Sequence, residues 1–297
     1  MWKEAQGNIL GCGVVLFVSA VLLFLNDQIG NFLASSQSLL FLSLIGLPLV
    51  LQIATGKVDL ASSGRCCIPA GIFVSCLNTI ILMGNIASYA TIISSIKNAF
   101  SPIVLGVIYS YAFSFFRKPN LSHTPHSQNI FWLSIITSII FLVISLQLFY
   151  KSGSGAQWGS LFNPISLLIV LSTIIATFIH PDLKSSSGSQ KLASASLFAC
   201  VISVAFSIVL YAVFISEVLG GSLEITRMGY LMGMIIFPVF YSAASAYVAS
   251  VSTGLRHMSN AEARRHDWYL VETWLFFALI ALPPLSVLEM AQITSSS

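Results

Sequence analysis

The side chains able to do chemistry in this chain are hydroxyls and amides set in apolar sequence. Ser75 and Thr79 stand four residues apart, as do Ser203 and Ser207, so in a helix each pair shares one face. Such a face can offer oxygens to a hydrated ion or to a neighbouring helix. It can equally satisfy itself by donating to the carbonyl one turn back. Tyr109 and Tyr241, followed by Ser110 and Ser242, could point into the same seam or serve as packing aromatics. Ser242, Ser245, Ala249 and Ser252 form a small-residue stripe that lets helices approach closely. Asn78 and Asn85 call for interhelical hydrogen bonds, worth about 1 kcal/mol each.

Charge is placed differently. Asp27, Asp59, Asp182, Glu217 and Glu224 all fall at the ends of apolar blocks or between them. A proton relay in lipid needs an ionisable or strongly polar group at depth, and no acid or base occupies the middle of the first eight blocks. Cys12, Cys66, Cys67, Cys76 and Cys200 lack metal-ligand spacing and read as small apolar fillers. His123 and His126 are too few to hold a metal alone. There is no phosphate loop, no His-Glu-x-x-His helix and no paired carboxylate within a block. The expectation is a protein that is not an enzyme and has no cofactor.

The elements that must position these residues follow from composition. Of 297 residues, 56% are hydrophobic and 8% charged, with a mean hydropathy of +0.90. Soluble domains carry about 25% charged residues. The apolar residues lie in blocks that suit helices of about 20 residues, the length that crosses a hydrocarbon core of about 30 Å. This predicts an all-α, polytopic helical membrane protein with about nine transmembrane helices, at residues 9–25, 38–55, 66–86, 100–116, 130–150, 164–179, 192–218, 230–250 and 270–288. The last contains Glu272 and Pro283-Pro284 and could instead lie along the interface. With the N-terminus in the cytoplasm, Lys3, Lys57, Arg65, Arg117, Lys118, Lys184, Lys191, Arg256, Arg264 and Arg265 fall inside. Only Lys97, Lys151 and Arg227 fall outside, as the positive-inside bias requires. The net charge of +3 is thus a topology signal, and no nucleic-acid partner is expected.

The two halves resemble each other. The stretch 72–82 lies over 200–210, matching Ser75 and Thr79 to Ser203 and Ser207. Ile108-Tyr109-Ser110-Tyr111-Ala112 lies over Phe240-Tyr241-Ser242-Ala243-Ala244, and Ser38-Leu39-Leu40 echoes Ser166-Leu167-Leu168. Four helices per unit is an even number, so both units enter the membrane the same way up, as two parallel four-helix repeats. The expected organisation is a first repeat at 1–126, a second at 127–260 and a C-terminal helix and tail at 261–297.

Asn163-Pro164-Ile165-Ser166-Leu167-Leu168-Ile169-Val170-Leu171, running on to His180-Pro181, resembles the second-helix signature of the MotA/TolQ/ExbB proton-channel family, in its MotA-like branch. Ala70-Gly71-Ile72-Phe73-Val74-Ser75 resembles that family's third helix, and the run from Met228-Gly229 to Tyr241-Ser242 its fourth. The resemblance implies a homo-oligomer in the bacterial inner (cytoplasmic) membrane, ringed around a MotB/ExbD/TolR-like single-span partner. That partner would carry the titrating Asp, and proton or sodium flow would energise a motor or envelope process. Ser75, Thr79, Ser203, Ser207, Tyr109, Tyr241 and Ser242 are then the residues facing the ion pathway or the partner. The family's cytoplasmic domain has no counterpart, and its pathway threonine falls on Val107 and Val239. Two other readings follow: a non-conducting membrane scaffold of the same descent, and an unrelated small-solute transporter with parallel repeats, using Asn78, Asn85 and the serine faces as its site.

Overall fold

The computed structural model describes residues 36–54, 60–84, 101–116, 128–151, 162–181, 188–219 and 225–254, with Gly13. The described residues are helical apart from short turns and caps. The helices are α1 Ser36–Ala54, α2 Leu60–Gly64, α3 Cys67–Gly84, α4 Ser101–Ser114, α5 Gln128–Lys151, α6 Pro164–Ile179, α7 Gly188–Leu219 and α8 Ile225–Gly254. Seven of these answer the apolar blocks from 38 to 250 within a few residues. The blocks at 9–25 and 270–288 lie outside the described residues, Gly13 excepted. Among the described residues, two helices, over Gln190–Glu217 and Gly233–Thr253, are long and apolar enough to cross a membrane; the other apolar stretches described are shorter.

α3 and α8 form the centre. Every side chain of α3 from Cys67 to Ile80 is buried, and so is most of α8 from Gly233 to Thr253. α8 packs against α3, α5, α6 and α7, while α3 packs against α1, α4 and α8. Particular contacts fix the directions. Phe73 stacks on Phe240 with ring centroids 4.8 Å apart. Ser207 Oγ donates to the Ile235 carbonyl at 2.7 Å, and Cys200 Sγ lies 3.8 Å from the Ser242 carbonyl. Tyr247, further along α8, lies beside Cys66 and Cys67 at the start of α3. α3 and α7 therefore run parallel to each other and antiparallel to α8. On its other side α3 meets α4 by backbone contact: a Cβ at Gly71 would lie 2.5 Å from the Pro102 carbonyl, and one at Gly106 2.5 Å from that of Cys67. The result is a row, α4–α3–α8–α7, with α1, α5 and α6 packed along it.

The outer helices are polar inward and apolar outward. On α5, Ser134, Ser138 and Ser145 are buried while Trp132, Leu133, Ile136, Ile140 and Val143 are exposed. On α6, Ser166, Thr173 and Thr177 are buried while Leu168, Ile175 and Ile179 are exposed. A water-facing helix shows the opposite pattern. Small hydroxyl residues between helices allow close packing, and an exposed belt of large apolar side chains suits hydrocarbon.

Among the described residues, two prolines lie inside helices beyond the first turn, Pro48 in α1 and Pro238 in α8. Each lacks the N–H that would satisfy the carbonyl four residues earlier. For Pro48 that carbonyl belongs to Leu44, and the Tyr247 hydroxyl of α8 donates to it at 2.7 Å. Near Pro238, the Ser207 hydroxyl reaches the Ile235 carbonyl, next along from that of Met234. α6 starts on an ordered cap: Asn163 accepts from the Ser166 N–H at 3.0 Å, with Pro164 at the first helical position.

Candidate functional site

The polar side chains inside the helix row divide into those with partners and those without. Thr79 donates to the Ser75 carbonyl at 2.8 Å, within its own helix. Ser207 instead reaches across to α8. Ser242 donates to the Val239 carbonyl at 2.9 Å, and its own carbonyl accepts from Ser245 at 2.7 Å. Tyr241 is half-buried, and its hydroxyl accepts the backbone N–H of Asn163 at 2.9 Å. It thereby ties the cap of α6 to α8. Tyr109 is half-buried and stacks on Phe41 at 6.2 Å. The stripe Ser242, Ser245, Ala249 and Ser252 lies in the packed part of α8, Ser252 donating to the Ala249 carbonyl at 3.0 Å. Cys66, Cys67, Cys76 and Cys200 are buried free thiols.

Ser75 and Ser203 differ from these. Both are buried, and neither hydroxyl has a hydrogen-bond partner. Asn78, 2% exposed, has no partner for either end of its amide. The interhelical bond expected there is absent, and Asn85 lies outside the described residues. Ser75 and Asn78 stand three apart and share one side of α3, roughly opposite Phe73 and so away from α8. Asn78 follows Gly71 by seven residues, which places it on the side where α3 meets α4. Ser203 is on α7, a helix separated from α3 by α8. The structure thus puts the two serines on separate helices and leaves Ser75 on the same side of α3 as Asn78. From the sequence, Asn78 calls for an interhelical hydrogen bond; its three-residue spacing from Ser75 is the signal that points further.

A buried polar group without a partner costs about 1–3 kcal/mol. Three such groups on one helix side mark a place suited to water, an ion or a polar partner. Asn78 and Ser75 can supply oxygen ligands and N–H or O–H donors, but they cannot titrate. Among the described residues the charged positions are Arg65, Lys151, Lys191, Glu217 and Arg227. Arg65 lies in the turn before α3, and each of the others is within four residues of a helix end.

A groove of about 640 Å³ opens between α6 and α7, lined by Ser172, Ala176 and His180 on one side and Ser194, Phe198 and Ile202 on the other. The hydroxyls along α6 are turned onto their own helix. Ser172 and Thr173 donate to the Ile169 carbonyl, and Thr177 to that of Thr173. The groove therefore presents a mainly apolar wall.

The contrast between Ser207 and Thr79 is measurable. Ser207→Ala removes an interhelical bond beside Pro238 and should lower stability by about 1 kcal/mol. Thr79→Ala removes a bond within its own helix and should cost less. Unfolding titrations in mixed micelles would order the two.

No protein-family model, curated protein or solved structure matches the chain.

Proposed function

We propose that this chain is a duplicated membrane subunit of the MotA/TolQ/ExbB kind, set in a bacterial inner membrane. It forms part of a proton or sodium channel that energises a motor or an envelope process. A single-span partner brings the titrating Asp. The observation that carries the reading is the pairing of buried, unpartnered Ser75, Asn78 and Ser203 with charged positions kept to the helix ends. Such an interior can solvate an ion or receive a polar partner, and among the described residues no Asp, Glu, His, Lys or Arg stands in the middle of a helix to bind and release a proton. Outward apolar and inward hydroxyl faces on α5 and α6 support the membrane setting. The shared direction of α3 and α7 supports parallel repeats. Val239, buried in the pathway-threonine position, favours the second reading, a non-conducting scaffold of the same descent.

The test is affinity purification of the tagged full chain in mild detergent, followed by mass spectrometry. Recovery of a single-span protein with a mid-membrane Asp is the expected result; recovery of the chain alone overturns the energiser reading. Asn78→Leu adds a second arm. Replacing an unsatisfied buried amide by an apolar side chain of similar size should leave stability unchanged or raise it by about 1 kcal/mol. Ion flux through the reconstituted complex should fall at least tenfold. Unchanged flux would make Asn78 irrelevant to conduction.

A further inference from the structure

The groove between α6 and α7 has a counterpart within the same chain, and the counterpart is filled. With Ser38 placed over Ser166 and Ser75 over Ser203, groove residues Ser172, Ala176 and His180 fall on Leu44, Pro48 and Gln52. Ser194, Phe198 and Ile202 fall on Cys66, Ala70 and Val74. All six first-repeat residues are buried. In the second repeat Phe198 is 56% and Ile202 41% exposed, and Ala176 is exposed. The C-terminal half of α8 helps to cover the first set: Tyr247 is wholly enclosed, donates to the Leu44 carbonyl and lies beside Cys66.

The first-repeat equivalent of α8 is α4, in which Ile108 falls under Phe240, Tyr111 under Ala243 and Phe115 just past its end under Tyr247. In its own chain α4 packs on α2 and α3. Tyr111 is 60% exposed and Phe115 partly so, the two rings meeting edge-on at 5.2 Å. We propose that the α6–α7 groove receives Tyr111 and Phe115 from a second copy of this chain, so that copies associate head to tail. The inference rests on the duplicated membrane-subunit reading above, though not on ion conduction.

Three further observations favour a second copy. The rest of the α3–α8 contact has exposed equivalents: Val201, which lies over Phe73, is 56% exposed, and Ile108 is partly exposed. Depth agrees, since the His180 end of the groove and the end of α4 before Arg117-Lys118 both fall on the side that the basic residues assign to the cytoplasm. The chemistry has changed in step. Where α1 has Pro48, freeing a carbonyl, the incoming helix has the hydroxyl of Tyr247. Where α6 has Ala176, whose N–H is available to the Ser172 carbonyl, the incoming residue is Phe115, with no hydroxyl. A contact of this kind uses different surfaces on the two copies and propagates into a ring or a chain.

The test is crosslinking of the full-length chain in native membranes with a short bismaleimide. Phe115→Cys combined with Phe198→Cys should give a ladder extending past the dimer. Each single variant and the wild type should give none, because a head-to-tail contact keeps like positions apart. Ala176→Trp fills the groove from an exposed position. It should reduce the assembly in detergent to single chains and leave the helical content of those chains unchanged. Absence of a ladder from the double variant, or an unaltered assembly mass for Ala176→Trp, overturns the proposal. So does a monomer that retains a phospholipid which Ala176→Trp displaces. A ladder without recovery of a single-span partner would refute the energiser reading alone.

Discussion

Alanine at Gly106 should lower the stability of the helix row by about 1–3 kcal/mol, towards the upper end of that range. The added Cβ would stand 2.5 Å from the Cys67 carbonyl oxygen. That oxygen is backbone within a buried helix and cannot swing aside as a side chain could, so α3 and α4 must separate. Gly71→Ala meets the Pro102 carbonyl at the same distance and the Ile103 Cα at 3.1 Å, and should cost as much. The two glycines form one contact, the Cβ site of Gly106 lying 3.5 Å from the Gly71 Cα. The double variant should therefore cost less than the sum, because helices already separated by one methyl have room for the other. Gly46→Ala is the control, since its Cβ would meet nothing within 4 Å. There the only change is reduced backbone freedom in a helix, which should stabilise by roughly 0.5–1 kcal/mol. Unfolding midpoints of the four variants in mixed micelles would check both signs. Equal destabilisation by Gly46→Ala and Gly106→Ala would mean that the α3–α4 contact is not the cause.

What the sequence makes legible depends on how local the signal is. Helices between 38 and 250 can be read because a long apolar run satisfies its own backbone hydrogen bonds most readily as a helix. The cap of α6 is written in Asn163-Pro164. Pairwise contacts are harder to read. Gly71 stands out only for its likeness to a family motif, and nothing in the sequence says that its partner is Gly106. Ser207 and Thr79 each stand four residues after a serine, Ser203 and Ser75, yet one bonds across to α8 and the other within α3. The difference lies in the neighbouring helix rather than in either pair. Tyr241 reads as a packing aromatic until the Asn163 N–H is seen to lie 2.9 Å from its hydroxyl. Asn78 shows the converse case, a side chain whose type calls for a partner that the fold does not supply.

Tyr247 is the residue that sequence reading misses most completely, although a signal for it exists. A proline inside an apolar helix leaves a carbonyl without its helical donor, and in a dry interior some other group must provide one. Pro48 poses that requirement at Leu44, and the Tyr247 hydroxyl answers it from 203 residues away in the chain. Tyr247→Phe should therefore cost about 1–3 kcal/mol, because it leaves the Leu44 carbonyl buried with no donor. Pro48→Ala alone restores the helical N–H and gives that carbonyl a second donor, so its own effect should be small or stabilising. The informative protein is the double variant. If the phenol acts through the proline-freed carbonyl, Tyr247→Phe should lose at least half of its cost in the Pro48→Ala background, a coupling of about 1 kcal/mol. If it acts by filling space, the phenylalanine ring keeps that role and neither background should show a loss. Measuring all four unfolding free energies separates the two accounts. It also decides whether Tyr247 is what lets α1, with its proline, dock in the row at all.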